Sequence, residues 1–168
     1  DRQNFMKYKI AVIEEIHEDG LELLKKHPDF EYEVITNVSS ENLIKRLPDF
    51  DACTLRVSKL DEKILKHCKK LKAISRHGVG IDNVDLEYIK KNKIALLVTA
   101  TANAVAVAEH VFSMFLSLSK SIISYDTEVR KGNFKTNSNK ITTFELLNKN
   151  ILIAGFGRIG KKLISRCL

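Results

Sequence analysis

Short apolar runs alternate with helix-like segments along the first hundred positions: Ile10–Ile13 then Gly20–Lys26, Tyr32–Ile35 then Asn42–Arg46, Ala52–Leu55 then Glu62–His67, Leu71–Ile74 then Leu86–Lys91, and finally Ile94–Val98. This rhythm predicts an α/β protein, with the strands of a parallel sheet joined by crossover helices. The runs read as continuously apolar rather than alternating, the pattern of strands covered on both faces. Asp61 and Asp85 stand where N-caps belong, and Lys or Asn closes several of the helices.

Beyond Thr101 the period changes. Val107, Val111, Met114, Phe115, Leu118 and Ile122 recur at three- and four-residue spacing, predicting one long helix from Ala102 to about Lys131, ended by Gly132-Asn133. Such a Met and aromatic stripe is a packing face. A polar loop is expected over Lys135–Thr143, then a buried strand over Asn150–Ala154 that runs into Gly155-Phe156-Gly157-Arg158-Ile159-Gly160 and a helix over Lys161–Cys167. The shift near Ala100 predicts a boundary between a domain of residues 6–100 and a second of residues 101–168. Asp1–Phe5 precede Met6 and the first apolar run, and are expected to be a remnant or a frayed end.

Composition narrows the classes. The 168 residues suffice for one good core, with the apolar and charged fractions of a globular protein. No stretch approaches the roughly 20 uninterrupted apolar residues of a membrane helix, and no secretory layout opens the chain. A cytoplasmic protein with no membrane partner is the expectation. Cys53, Cys68 and Cys167 lack CxxC or metal spacing and read as reduced, non-functional thiols, with no metal site. The net charge of +7 comes mostly from dispersed lysines at helix ends. A nucleic-acid footprint requires clustering on one face, so no nucleic-acid partner is expected. The surplus could help to collect anionic substrates, and solvated surface charge accounts for it equally.

The glycine hexapeptide draws weight from its setting, since a GxGxxG between strand and helix is the arrangement that cradles a dinucleotide. Gly155 permits a tight turn, Gly157 lets the backbone approach a pyrophosphate, and Gly160 lets helix and strand pack closely, with phosphates on the helix N-terminus. Gly78-Val79-Gly80, after the run Leu71–Ile74, reads either as a loop needing positive φ or as a turn whose amides face a ligand. Arg56 follows Ala52–Leu55 at the edge where open α/β sheets bind ligands. It suits either a carboxylate or a neighbouring surface acid.

Three stretches in order, LKAISRHGVGIDNVD over Leu71–Asp85, NAVAVAEH over Asn103–His110, and FELLNKNILIAGFGRIG over Phe144–Gly160, resemble the D-2-hydroxyacid dehydrogenase family. The resemblance covers nearly the whole chain from about Lys9. It implies a flavodoxin-like, parallel-sheet substrate domain followed by the start of a Rossmann domain that binds NAD, with the active site between the two. It implies that Arg56, with Ser58 as a weaker candidate, and the backbone of Gly78, Val79 and Gly80 hold the carboxylate of a small anionic 2-hydroxy acid. Val79, Asn103, Gly155, Gly157, Arg158, Ile159 and Gly160 are implied to lie against the cofactor. Many family members carry Thr or Ser where this chain has Ala104, and the usual Asn-Ala-Pro-Glu-Gly is replaced by Val98-Thr99-Ala100-Thr101-Ala102. The catalytic His, its carboxylate partner and a substrate-orienting Arg are implied only after Leu168, and His77 and His110 are read as structural. The family is usually dimeric, so a homodimer is expected. A rival reading within the superfamily is an NAD-sensing corepressor that binds protein partners without turnover.

Overall fold

A computed structural model of the chain describes residues 7–133, 135 and 140–168. The expected frayed end Asp1–Phe5, with Met6, lies outside the described residues, as do residues 136–139 of the expected polar loop. The chain divides into two compact units, one ending at Ala100 and the other beginning at Thr101.

The first unit is a five-stranded parallel sheet. Its strands are β1 (Tyr8–Ile13), β2 (Phe30–Ile35), β3 (Ala52–Leu55), β4 (Ala73–Arg76) and β5 (Ala95–Val98), in the order β2-β1-β3-β4-β5. That is the flavodoxin-like order. Between the strands run α1 (Glu18–Lys26), α2 (Ser40–Arg46) with a 3-10 turn at Leu47–Asp49, α3 (Glu62–Leu65) and α4 (Leu86–Lys91). Each helix begins where a side chain satisfies an otherwise orphaned amide: His17 accepts from Asp19 N–H, Ser39 from Asn42, Asp61 from Ile64 and Asp85 from Tyr88. Each also has an acid in its first turn and Lys or Arg in its last, the polarity the helix dipole favours.

The core is continuous. Ala11, Ile13, Cys53, Leu55 and Ile74 from the sheet pack with Leu43, Leu47, Ile64, Leu65 and Ile89 from the connections. Burial pushes the pKa of both core thiols up, to about 11 for Cys68 and further for Cys53, where charge repulsion from Cys68 adds to it, so both are neutral at physiological pH.

Three expectations are corrected in this unit. The fourth strand lies at Ala73–Arg76 rather than Leu71–Ile74, because Ala52 pairs with Ala73 and Leu71 is spent in the preceding turn, its side chain buried. At the edge, β2 alternates rather than running continuously apolar, with Glu31 and Glu33 exposed. The other edge strand, β5, leaves Leu97 and Val98 exposed within this chain.

The second unit contains α5 (Ala104–Ser119), α6 (Ile122–Arg130) and α7 (Arg158–Cys167). The single helix expected from Ala102 to Lys131 is instead two, bent by 60° across Lys120 and Ser121. The bend has a local cause. Phe144 N–H donates to the Ser119 carbonyl at 2.8 Å, Lys120 Nζ to the Phe144 carbonyl at 3.1 Å, and Ser121 Oγ to the Thr142 carbonyl at 2.7 Å. The returning segment thus takes the Ser119 carbonyl and accepts from the side chains of Lys120 and Ser121, and Ser121 enters the left-handed region at φ +48°. Ile151–Ala154 forms no strand, also against expectation: a strand needs a ladder partner, and none lies beside it among the described residues. Leu152 is consequently 94% exposed. Among the described residues no single helix is long and apolar enough to cross a membrane.

Candidate functional site

Parallel pairing sets the site's location. Strands β3 and β4 are neighbours in register, with Leu55 opposite Arg76, so the loops leaving their carboxyl ends emerge side by side. His77 N–H donates to the Leu55 carbonyl at 2.7 Å and continues the ladder one step further. Arg56 to Ser58 and Gly78 to Gly80 are thereby brought together at one edge of the sheet.

Arg56 is exposed and makes no ion pair among the described residues. Its guanidinium instead donates from Nη1 to the Glu15 carbonyl at 2.8 Å, leaving the rest of its fork for a ligand. Ser58 is half-buried, and its Oγ, shielded from solvent, has no hydrogen-bond partner. An unpaired buried hydroxyl is costly, so it marks a place where a bound polar group could complete the set.

The glycine turn is built around Arg76. Gly78 has φ +151°, a region that favours glycine, and a Cβ there would displace the Arg76 guanidinium. Gly78 N–H is spent on the Arg76 carbonyl, and Thr99 N–H donates to the Gly78 carbonyl. The amides of Val79 and Gly80 donate to no other group among the described residues, and both residues are exposed. Two free amides, on the loop that emerges next to the one carrying Arg56, offer N–H donors to an anion.

Sequence reasoning missed two residues here, Glu14 and Asn83. The Glu14 carboxylate Oε2 accepts from the N–H groups of Arg56, Val57 and Ser58 at 3.1, 2.8 and 3.3 Å. Asn83 Nδ2 donates to the carbonyls of Arg56 and Ser58 at 3.1 and 2.8 Å, and its Oδ1 accepts from Arg76 Nε at 3.4 Å. The available signal was position: Glu14 ends the first apolar run, at the same sheet edge as Arg56.

In the second unit the glycine loop has three different glycines. Gly155 takes φ +99°, open only to glycine without strain. Gly157 caps α7 at φ −82°, and a Cβ added there would meet nothing within 4 Å, which leaves open space in front of the helix. Gly160 is the packing glycine, since its Cβ would fall 2.6 Å from the Gly155 carbonyl oxygen. The N-terminus of α7 has no side-chain cap and no acid in its first turn, with Arg158 standing there instead. Uncapped amides, a basic residue and open space suit a pyrophosphate. Ile159 is exposed. Asn103, at the start of α5, makes no side-chain capping bond, whereas Ala104 is buried and serves packing. His77 and His110 are exposed.

The chain is 32% identical over 160 residues to D-3-phosphoglycerate dehydrogenase of Archaeoglobus fulgidus, covering 95% of this chain and 30% of that protein. With glyoxylate reductase of Pyrococcus furiosus it shares 28% over 168 residues, covering 96% of this chain and 50% of that protein. The NAD-bound crystal structure of 3-phosphoglycerate dehydrogenase from Entamoeba histolytica superposes with a TM-score of 0.77 at 29% identity, over 96% of this chain and 50% of that one. The chain therefore spans half or less of the length of these relatives. Residues 10–154 match the family model of the D-isomer specific 2-hydroxyacid dehydrogenase catalytic domain, and the chain belongs to that family.

Proposed function

We propose that the full-length protein is an NAD-dependent oxidoreductase acting at C2 of a small 2-hydroxy or 2-oxo acid. The observation that carries this reading is the convergence of an Arg56 free of ion pairs with the free amides of Val79 and Gly80 at the carboxyl edge of β3 and β4. In this reading Arg56 binds one oxygen pair of the substrate carboxylate through its planar fork. The Val79 and Gly80 amides bind the same group from the other side, and Ser58 Oγ supplies a further polar contact. Gly155, Gly157 and Gly160 shape the loop that holds the cofactor pyrophosphate, with Arg158 and Ile159 beside it and Asn103 and Val79 toward its other parts. NAD, when bound, supplies the hydride chemistry. What the chain's own residues contribute is orientation and charge. Proton exchange is assigned to a His outside these 168 residues.

Within that class we favour D-3-phosphoglycerate as substrate, the reading supported by the named activities of the Archaeoglobus and Entamoeba relatives. The test is turnover of purified full-length protein with NAD and D-3-phosphoglycerate, or with NADH and glyoxylate or hydroxypyruvate, followed by NADH absorbance. Highest kcat/KM with the phosphorylated acid is the expected result. A preference for glyoxylate overturns the finer assignment, and NAD binding without turnover of any acid overturns the reaction.

A further inference from the structure

The loop Arg56–Ser58 is held on both of its polar sides by side chains from other loops, Glu14 just after β1 and Asn83 in the turn before α4. On one side a single carboxylate oxygen of Glu14, from the end of β1, gathers three successive amides at 2.8 to 3.3 Å. On the other, the Asn83 amide gathers the carbonyls of Arg56 and Ser58 at 3.1 and 2.8 Å. Glu14 adopts φ +69°, a backbone region unfavourable for a side chain of its kind, and strain of this sort persists only where surrounding contacts hold it. The following residue, Glu15, offers its carbonyl to the Arg56 guanidinium at 2.8 Å. The turn after β1 therefore holds both the backbone and the side chain of Arg56. Asn83 is in turn held by Arg76, whose guanidinium donates to the His77 carbonyl under the glycine turn. One hydrogen-bonded chain thus runs from Glu14 through the Arg56 loop and Asn83 to Gly78.

We infer that Glu14 and Asn83 are positioning residues for substrate binding, fixing the Arg56 loop in register with the Val79 and Gly80 amides so that one carboxylate meets both. This rests on the proposed assignment of Arg56 to the substrate acid. A loop of three exposed or half-buried residues with unpartnered amides would sample many conformations, and Arg56 would reach its ligand only from a fraction of them. Two-sided clamping removes that cost before the acid arrives. The carboxylate serves here as an acceptor of three N–H bonds, a task a neutral amide oxygen at the same place also performs.

The test is steady-state kinetics of the full-length enzyme with the variants Glu14→Ala, Glu14→Gln, Asn83→Ala and Arg56→Ala, and the double variant Glu14→Ala/Arg56→Ala. Thermal melts serve as the fold control. Glu14→Ala is expected to raise the KM of the acid by roughly tenfold with a smaller change in kcat and an unchanged KM for the cofactor. Glu14→Gln is expected to restore most of the loss, and Asn83→Ala to repeat the pattern if Glu14→Ala proves too unstable to assay. In the Arg56→Ala background, removal of Glu14 is expected to add little, since both changes act on one contact. Additive effects, failure of Gln to rescue, or equal losses for acid and cofactor would overturn the inference while leaving Arg56 in place. An Arg56→Ala enzyme with an unchanged KM for the acid overturns the assignment of Arg56 itself, and this inference with it.

Discussion

The two units of this chain solve the same physical problem to different degrees. The first, through Ala100, contains all of the buried apolar residues described except Ala104, Ala108 and Leu163. Each of its α-helices has a side-chain N-cap and an acid in its first turn. In the second, none of the helices α5, α6 and α7 has either. A helix start left uncapped and without acid is an unsatisfied donor set. Where it coincides with three conformationally distinct glycines, as at Gly157, the same deficiency reads as reserved space. The lesson is that stability and ligand binding compete for the same amides, and each unit has resolved the competition its own way.

The sharpest way to break this comparison is Gly157→Val in the full-length protein. The φ of −82° suits any residue, and nothing lies within 4 Å of the new Cβ, so the fold should be unaffected. The side chain would enter the space assigned to a phosphate oxygen. Loss of detectable cofactor binding in a fluorescence titration, with an unchanged circular dichroism melt, is the expected outcome. Wild-type affinity would reduce the loop to an ordinary turn. Gly160→Val should do the opposite and damage folding, since its Cβ would fall 2.6 Å from the Gly155 carbonyl oxygen.

Next in size is the contrast in packing. Ile74→Ala removes a fully buried side chain from the sheet core and should cost about 2–5 kcal/mol in chemical denaturation. Leu152→Ala, at a residue 94% exposed, should fall within about 0.5 kcal/mol of the parent in this chain. A comparable loss at Leu152 would show that the second unit has a core of its own. Smaller again is Arg56→Ala, where loss of a charged hydrogen bond worth roughly 1.5–3 kcal/mol should raise the KM of the acid about tenfold or more. Cofactor affinity should stay unchanged.

What was legible in the sequence follows from locality. The strands and capped helices of the first unit are written in runs of four to nine neighbours, so the parallel sheet and the caps Asp61 and Asp85 could be read directly. The bend at Ser121 could not, because it depends on Phe144 arriving some twenty residues later to donate to the Ser119 carbonyl, and on the Thr142 and Phe144 carbonyls accepting from the Ser121 and Lys120 side chains. The strand expected at Asn150–Ala154 failed for the same kind of reason: apolar composition marks a segment that could pair, but pairing needs a neighbour. At the candidate site, Arg56 and the glycine turn were visible by type and position. The clamp was hidden, since Glu14 lies 42 to 44 residues from the amides it binds. Burial and charge patterning carry no information about which acceptor a distant loop will choose.

The smallest expected effect separates the two ways a helix start is used. Asp85→Ala removes the oxygen that accepts from Tyr88 N–H at 2.9 Å and should cost about 1 kcal/mol of stability, with no change in any ligand affinity beyond that loss. Asn103, at the start of α5, is of a residue type as well suited to capping, yet its side chain makes no capping bond. Asn103→Ala should therefore leave the melting temperature within about a degree of the parent, because no orphaned amide loses its partner. If the side chain is instead reserved for the cofactor, its removal should weaken NAD binding several-fold in the full-length protein, the order expected of one neutral hydrogen bond. Measuring both quantities on both variants gives crossed outcomes: stability falls at Asp85 alone, and affinity at Asn103 alone. A destabilised Asn103→Ala with normal NAD affinity would place that residue among the structural caps and remove it from the cofactor site.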